Sequence, residues 1–286
     1  MANLRANKIV GIGSTDAGVT FDGPISLNTQ GYMYFPTGVT SERGRGRAAV
    51  GGGYDGSSVR DEIEYFNIQS MGTAIDFGNL TTATFGLDSN AASSTRGIIA
   101  VGGRTPSYVN TIEFITIAIT SNATDFGDIS STLSSVAVSS NQTRGVTFGG
   151  RNSTNVMEFI TIATVGDASD FGDLTAAKRQ GSSVASQTRG IFAGGFDDTN
   201  RINNIDFITI ASAGNASDFG DTQAARDEST GTSNNTRGVF AGFNDGGRQN
   251  SIYFVTIQTT GNAQDFGDLI TKRTGVSNCS DSHGGL

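Results

Sequence analysis

Cysteine, histidine, proline and tryptophan are almost missing from this sequence. Its 286 residues include one cysteine, one histidine, three prolines and no tryptophan. The single cysteine, Cys279, excludes a disulfide framework within the chain. The single histidine, His283, excludes a multi-histidine metal centre, and we expect no histidine-centred catalytic triad. The low proline content argues against collagen and proline-rich linkers, although the chain has 40 glycines.

Positive charge is also scarce. Lys and Arg number 19 against 27 Asp and Glu, which gives a formal net charge of −8. Nucleic acids and anionic membranes are bound by basic patches, and no segment carries one. No apolar run approaches a membrane span, and the start MANLRANKIVGIG lacks the apolar stretch of a signal peptide. We therefore expect no nucleic-acid binding, no membrane insertion and no export through a signal peptide.

Two short motifs recur along the chain. Thr-Arg-Gly places its arginine at Arg96, Arg144, Arg189 and Arg237, with a diverged copy at Arg45. Asp-Phe-Gly begins at Asp76, Asp125, Asp170, Asp218 and Asp265, at intervals of 45 to 49 residues. Five copies at a nearly constant period identify a repeat architecture.

Each repeat contains segments typical of β-strands. An apolar stretch follows the arginine, as in 144–150, and a loop of variable length comes next. The loop leads to a segment dense in β-branched and aromatic residues, such as 112–117 or 205–210. Three or four short strands per repeat, joined by glycine-rich turns and without helical periodicity, predict the blades of an all-β β-propeller.

The repeat resembles a kelch repeat. The resemblance rests on four features of the repeat, which are a glycine pair after an apolar strand, an acidic-aromatic strand, a later aromatic residue and a basic residue. The aromatic positions are Phe77, Phe126, Phe171, Phe219 and Phe266, and the basic positions are Lys178, Arg226 and Arg273. The resemblance implies about five kelch-like blades with these phenylalanines in the blade cores.

A second resemblance concerns the amino-acid sequence of the repeat motifs. The segments TRG, FITIA and NASDFGD, with the opening MANLRANKI, are similar to repeat proteins among the virion structural proteins of tailed bacteriophages, including cyanobacterial ones. The resemblance covers nearly the whole chain. It implies a place in the virion, assembly in the host cytoplasm, and multiple copies per particle in contact with other virion proteins.

The register of the repeats predicts how many blades there are. Five full units are followed by the first residues of a sixth at the C-terminus. We predict a five-bladed ring over 43–286 and a short N-terminal β arm over 1–42 that anchors the protein. In the alternative, the arm and the C-terminal strand complete a sixth blade.

The residues common to all repeats have a structural interpretation. We expect the motif arginines to form ion pairs with the Asp-Phe-Gly-Asp carboxylates of neighbouring blades. The paired acids, such as Asp125 and Asp128, are the only candidate calcium ligands, and we expect no metal, no cofactor and no catalytic residue.

Functional side chains are expected in the variable loops, which should project from one face. Each loop carries an arginine, and four carry an aromatic residue. The candidate binding residues are Tyr54, Arg60, Arg104, Tyr108, Arg151, Asn152, Phe196, Asp197, Arg201, Phe243, Asn244 and Arg248.

Three functions are compatible with this sequence. The first is a non-enzymatic virion protein, on a tail fibre, tail or capsid, whose loops attach to a glycan or protein of the host surface. The second is an assembly or bracing protein that binds only other virion proteins. The third, ranked lowest, is a polysaccharide depolymerase, since paired carboxylates suffice for glycoside hydrolysis.

Overall fold

A computed structural model describes residues 47–67, 72–86 and 91–276. The chain divides into two units, residues 1–46 and 47–286. The predicted N-terminal arm (1–42), Arg45, Cys279 and His283 lie outside the described residues, as does the start of the predicted sixth repeat.

Nineteen strands are assigned in the described residues. Blade 1 contains β1 (Arg47–Gly51), β2 (Glu62–Asn67) and β3 (Ile75–Asn79). Blade 2 contains β4 (Ala91–Ala92), β5 (Arg96–Arg104), β6 (Tyr108–Thr116) and β7 (Thr124–Asp128). Blade 3 contains β8 (Ala137–Ser140), β9 (Arg144–Phe148), β10 (Val156–Thr161) and β11 (Ser169–Asp173). Blade 4 contains β12 (Ser182–Ala185), β13 (Arg189–Ala193), β14 (Asn204–Thr209) and β15 (Ser217–Asp221). Blade 5 contains β16 (Thr230–Ser233), β17 (Arg237–Ala241), β18 (Gln249–Thr256) and β19 (Gln264–Arg273).

Each blade is an antiparallel sheet whose strands lie in chain order. Blades 2 to 5 have four strands, and the described part of blade 1 has three. The predicted all-β class and the five-bladed β-propeller are therefore confirmed. The described residues contain no helix long and apolar enough to cross a membrane.

In the described residues, four apolar cores hold the blades together, and each lies between two consecutive blades. Between blades 3 and 4, for example, Val146, Phe148 and Phe171 of blade 3 pack with Phe192 and Ile208 of blade 4. Phe148 and Phe192 stack with their ring centroids 5.6 Å apart. Both faces of a middle blade are buried, which explains why these strands are apolar on both sides.

The motif phenylalanines behave as predicted in four blades. Phe77, Phe126, Phe171 and Phe219 are only 2–3% exposed. Phe266 is different, because it is 52% exposed on the outer side of blade 5. The prediction that every motif phenylalanine is a core residue was therefore wrong for the fifth repeat.

The motif arginines bridge consecutive blades, but not through ion pairs. Arg144 donates from Nη1 to the carbonyl of Ile210 in the next blade at 2.9 Å, and its guanidinium lies 4.2 Å from the centroid of the Phe159 ring. Arg47, Arg96 and Arg189 make the same two contacts.

Two predictions about these arginines were wrong. Among the described residues, none of them forms an ion pair with an Asp-Phe-Gly-Asp carboxylate. A carbonyl oxygen of the next blade is the acceptor instead, so the bridge needs no buried carboxylate. In blade 1 this position belongs to Arg47 and not to Arg45.

The Asp-Phe-Gly turn fixes how closely the blades approach. Gly172 has φ +136°, and a Cβ added there would lie 2.5 Å from the carbonyl carbon of Gly214 in the next blade. The Asn215 side chain accepts a hydrogen bond from the Asp173 backbone N–H at 3.0 Å. Only glycine fits this φ and this approach at once. The glycine is therefore required by the junction between two blades.

The basic positions of the kelch resemblance lie in different environments. Lys178 is fully buried, with its Nζ 2.8 Å from Asp206 Oδ2 and 2.5 Å from Asn204 Oδ1. Burial lowers the pKa of Lys178, and the Asp206 carboxylate opposes this shift. Arg226 lies 5.1 Å from the centroid of the Tyr253 ring, and Arg273 is exposed.

Candidate functional site

The variable loops occupy equivalent positions in their blades. Each joins the strand that begins with the motif arginine to the following strand, which in blade 1 means β1 to β2. We call these loops, together with the residues that bridge to them, the loop face. Eleven of the twelve predicted binding residues have some solvent exposure, and Phe243 does not.

Aromatic and arginine side chains alternate across part of the loop face. The Tyr54 and Phe85 ring centroids are 5.8 Å apart. The Arg104 guanidinium lies 5.5 Å from the Phe85 ring centroid and 5.6 Å from that of Tyr108. Arg151 of blade 3 then stacks on Tyr108 at 4.3 Å. We call these five residues the aromatic–arginine row; it extends from blade 1 to blade 3.

The arginines of the row keep their hydrogen-bonding edges available. Arg104 and Arg151 are exposed, and neither forms an ion pair with a described residue. Arg60, in contrast, is paired with Glu62 and lies 3.4 Å from Asp55. Stacking holds the plane of a guanidinium and leaves its five N–H donors for another group.

A cleft of about 320 Å³ adjoins the row between blades 2 and 3. Arg151 and Asn152 form part of its wall, together with residues 129–133 of the preceding blade. Glu158 is buried at the cleft and accepts a hydrogen bond from the Ser130 backbone N–H at 3.0 Å. Asn152 has φ +67°, which is uncommon for a residue with a side chain and marks a tightly turned loop.

The blade 4 loop is held by its own polar contacts. Asp197 accepts hydrogen bonds from the backbone N–H groups of Asn200 and Thr199, and these bonds lower its pKa. Arg201 donates to Asp227 at 2.8 Å. Burial raises the pKa of Asp227, and the bond and charge of Arg201 oppose this shift. These side chains stabilise the loop and are less available to a ligand than those of the row.

The blade 5 loop differs from the prediction. Phe243 is 2% exposed and packs against Tyr253 with centroids 5.1 Å apart. The prediction that Phe243 is an accessible binding residue of the loop was therefore wrong. Asn244 donates to Glu228 at 3.2 Å, whereas Arg248 is exposed and makes no side-chain hydrogen bond or ion pair to a described residue.

Two residues of the loop face were missed from the sequence. Phe85 forms an antiparallel bridge with Arg104, and Arg179 forms the equivalent bridge with Phe196. Arg179 lies 5.2 Å from the Phe196 ring centroid, so the aromatic and the cation have exchanged places between the two bridges. Both missed residues lie in the segment that ends the preceding repeat, and only the folded chain brings them to the loops.

The aromatic–arginine row can bind a ligand by stacking on its rings and by charge-assisted hydrogen bonds from its guanidinium groups. The described residues contain no cluster of three or more His, Cys, Asp or Glu side chains that could hold a metal ion. No protein-family model matches the chain, and a search of curated proteins found no match.

Proposed function

We propose that this protein is a non-enzymatic structural protein of a phage virion, displayed on a tail fibre, the tail or the capsid, that attaches to the host surface through its loop face. The place in the virion rests on the resemblance of the repeats to virion proteins of tailed phages. The attachment role rests on one observation, the aromatic–arginine row across blades 1 to 3, of which Tyr54, Arg104 and Arg151 are exposed.

The chemistry of the row favours an anionic glycan as the ligand. An exposed aromatic ring such as Tyr54 offers an apolar face for a sugar ring, with little conformational entropy to lose. The unpaired guanidinium groups of Arg104 and Arg151 can each bind a carboxylate or sulfate through two parallel hydrogen bonds. The protein is acidic overall, so these two arginines provide a local positive site where an anionic ligand is bound.

The second candidate is an assembly protein whose surfaces bind only other virion proteins. Apolar side chains exposed on blades 1 and 5 favour it, because such surfaces mark protein contacts. The two roles use different surfaces and can be separated by experiment.

The test is saturable binding of the labelled protein to intact candidate host cells. The double variant Arg104→Ala/Arg151→Ala removes both guanidiniums of the row that have no ion-pair partner among the described residues. The single variant Arg151→Ala has Arg248→Ala as its matched control. Arg248 has the same residue type, exposure and face but lies outside the row. A charge-assisted hydrogen bond contributes about 1.5–3 kcal/mol, so we expect the double variant to bind at least about tenfold more weakly.

Two results would overturn the attachment role. One is equal weakening in the single variants Arg151→Ala and Arg248→Ala, which each remove one positive charge, because that would show a general charge effect and not a binding site at the row. The other is the absence of binding by the folded wild-type protein, which would favour the assembly role. Far-ultraviolet circular dichroism of each variant separates loss of binding from loss of fold.

A further inference from the structure

The four junctions between consecutive blades share one set of contacts. At each, the motif phenylalanine of one blade is buried against the next blade, and the motif arginine donates to a carbonyl there. Three junctions also have a hydrogen bond to that phenylalanine's carbonyl, as from the Gly166 N–H to Phe126 at 2.7 Å. None of these hydrogen bonds joins described residues of blade 5 to described residues of blade 1.

The outer face of blade 5 therefore carries the junction residues without their partners. Phe266 is 52% exposed. Ile270, which takes the position of Thr81, whose backbone N–H donates to Glu113 of the next blade, is fully exposed. Arg237 stacks on Phe254 at 4.4 Å like the other motif arginines, but it is exposed and makes no side-chain hydrogen bond to a described residue. A Cβ added at Gly267 would meet nothing within 4 Å. We call Arg237, Phe266, Gly267 and Ile270 the leading face.

The outer face of blade 1 carries the opposite half of the same junction. Phe66 is 40% exposed, whereas the residues at its position in the other blades are 3–7% exposed, including Ile115 and Ile208. Val50 is 59% exposed, whereas Phe192 and Phe240 at its position are almost fully buried. Glu64 occupies the position of Glu113, which accepts the backbone N–H of Thr81 from the preceding blade at 2.7 Å. We call Val50, Glu64 and Phe66 the trailing face.

We propose that the leading face of one copy of this chain docks on the trailing face of a second copy and reproduces the junction that joins consecutive blades. Both faces are exposed in the same chain, so among the described residues neither covers the other. Each offers what the internal junctions use, which is exposed apolar side chains on both sides. The Arg237 guanidinium on blade 5 and the Glu64 carboxylate on blade 1 form no ion pair with a described residue.

The contact is head-to-tail, since it uses different surfaces on the two copies. A contact of this kind leaves one leading and one trailing face free after every addition, so it builds closed rings or open chains. In this proposal, blade 1 of a second copy packs on the leading face of the first copy.

Sedimentation of the full-length chain over a range of concentrations tests the proposal. The wild type should sediment at multiples of its 29.6 kDa mass and dissociate on dilution. The variant Phe266→Asp/Ile270→Asp removes the leading face, and Val50→Asp/Phe66→Asp removes the trailing face. All four residues are exposed, so the aspartates do not enter a core. Ile119→Asp/Val165→Asp is the control, because it changes two exposed apolar residues in turns of blades 2 and 3.

Mixing the variants gives a result that only a head-to-tail contact predicts. Each face variant alone should remain monomeric, and an equimolar mixture should form a one-to-one dimer, because each partner retains the face that the other has lost. The control should assemble like the wild type. A monomeric wild type at all concentrations, assembly of either face variant alone, or a mixture that stays monomeric would overturn the proposal.

Discussion

Replacing a motif glycine by alanine separates two demands on the Asp-Phe-Gly turn. Gly172 and Gly267 share the motif and the same φ of +136°. At Gly172 an added Cβ would lie 2.5 Å from the carbonyl carbon of Gly214, whereas at Gly267 it would meet nothing. Gly267→Ala therefore measures the backbone strain alone, and Gly172→Ala measures the strain together with the clash between blades 3 and 4.

The expected losses follow from the two contributions. Holding an alanine in a backbone region that favours glycine costs about 1–3 kcal/mol at either position. Overpacking adds about 1–3 kcal/mol at Gly172 only, because a backbone carbonyl cannot move aside as a flexible side chain can. The unfolding free energy should thus fall by about 2–6 kcal/mol for Gly172→Ala and by about 1–3 kcal/mol for Gly267→Ala.

Urea unfolding followed by circular dichroism measures both losses, and it should be done at a concentration where the wild type is monomeric. Thermal unfolding is an independent check, since each kcal/mol lowers the Tm of a unit of this size by about 2–4 °C. Equal losses for the two variants would refute the reasoning. They would show that the approach of Gly214 does not require a glycine, or that residue 267 also packs closely in solution.

Three further predictions concern charged groups. Arg144→Met should lower the unfolding free energy by about 2–3 kcal/mol through the lost bond to the next blade, and Arg237→Met by less than about 1 kcal/mol, as measured by urea unfolding. Lys178→Met should cost about 3–5 kcal/mol in the same assay because it leaves Asp206 buried and uncompensated, and a loss below about 1 kcal/mol would contradict this. Burial raises the pKa of Asp227 above 3.8, so its carboxyl binds a proton more tightly when folded. The wild type should lose stability relative to Asp227→Asn as the pH rises from 3.8 through the raised pKa, and the opposite slope would contradict this sign.

The fold could be predicted because every repeat carries the same constraints. The repeat period predicted the number of blades. The positive φ expected for the motif glycines is present at all five of them, such as Gly78 and Gly220. The prediction for the first motif arginine was wrong by two residues, because it named Arg45 where the structure has Arg47. A shift of two residues along a strand keeps the same face, so the hydrophobic pattern alone does not distinguish them.

The partners of the motif arginines could not be read from the sequence. A guanidinium can bind a carboxylate or a carbonyl, and the choice depends on which oxygen the next blade brings within about 3 Å. In the structure that oxygen belongs to the main chain of residues such as Ile210. Main-chain acceptors are the same in every sequence and leave no signal in the residue types.

The error at Phe243 had a signal that was available. Repeat 4 reads Gly194-Gly195-Phe196, whereas repeat 5 reads Gly242-Phe243 and lacks the second glycine. Phe243 therefore stands where Gly195 does, and Asn244 takes the bridge position of Phe196. A displacement of one residue moves a side chain to the opposite side of an extended chain, which here means from the loop face into the core.

The aromatic–arginine row depends on the junctions beneath it. Tyr108 belongs to blade 2 and Arg151 to blade 3, so their 4.3 Å contact exists only if the two blades are held in a fixed relation. The bond from Arg96 to the Ile162 carbonyl at 2.7 Å provides part of that relation. Residues shared by the repeats, such as the motif arginines, therefore fix the positions of the blades. The loop residues that differ between repeats come into contact because the blades are held in those positions. The row lies among the loops because only there can the sequence vary without disturbing a junction.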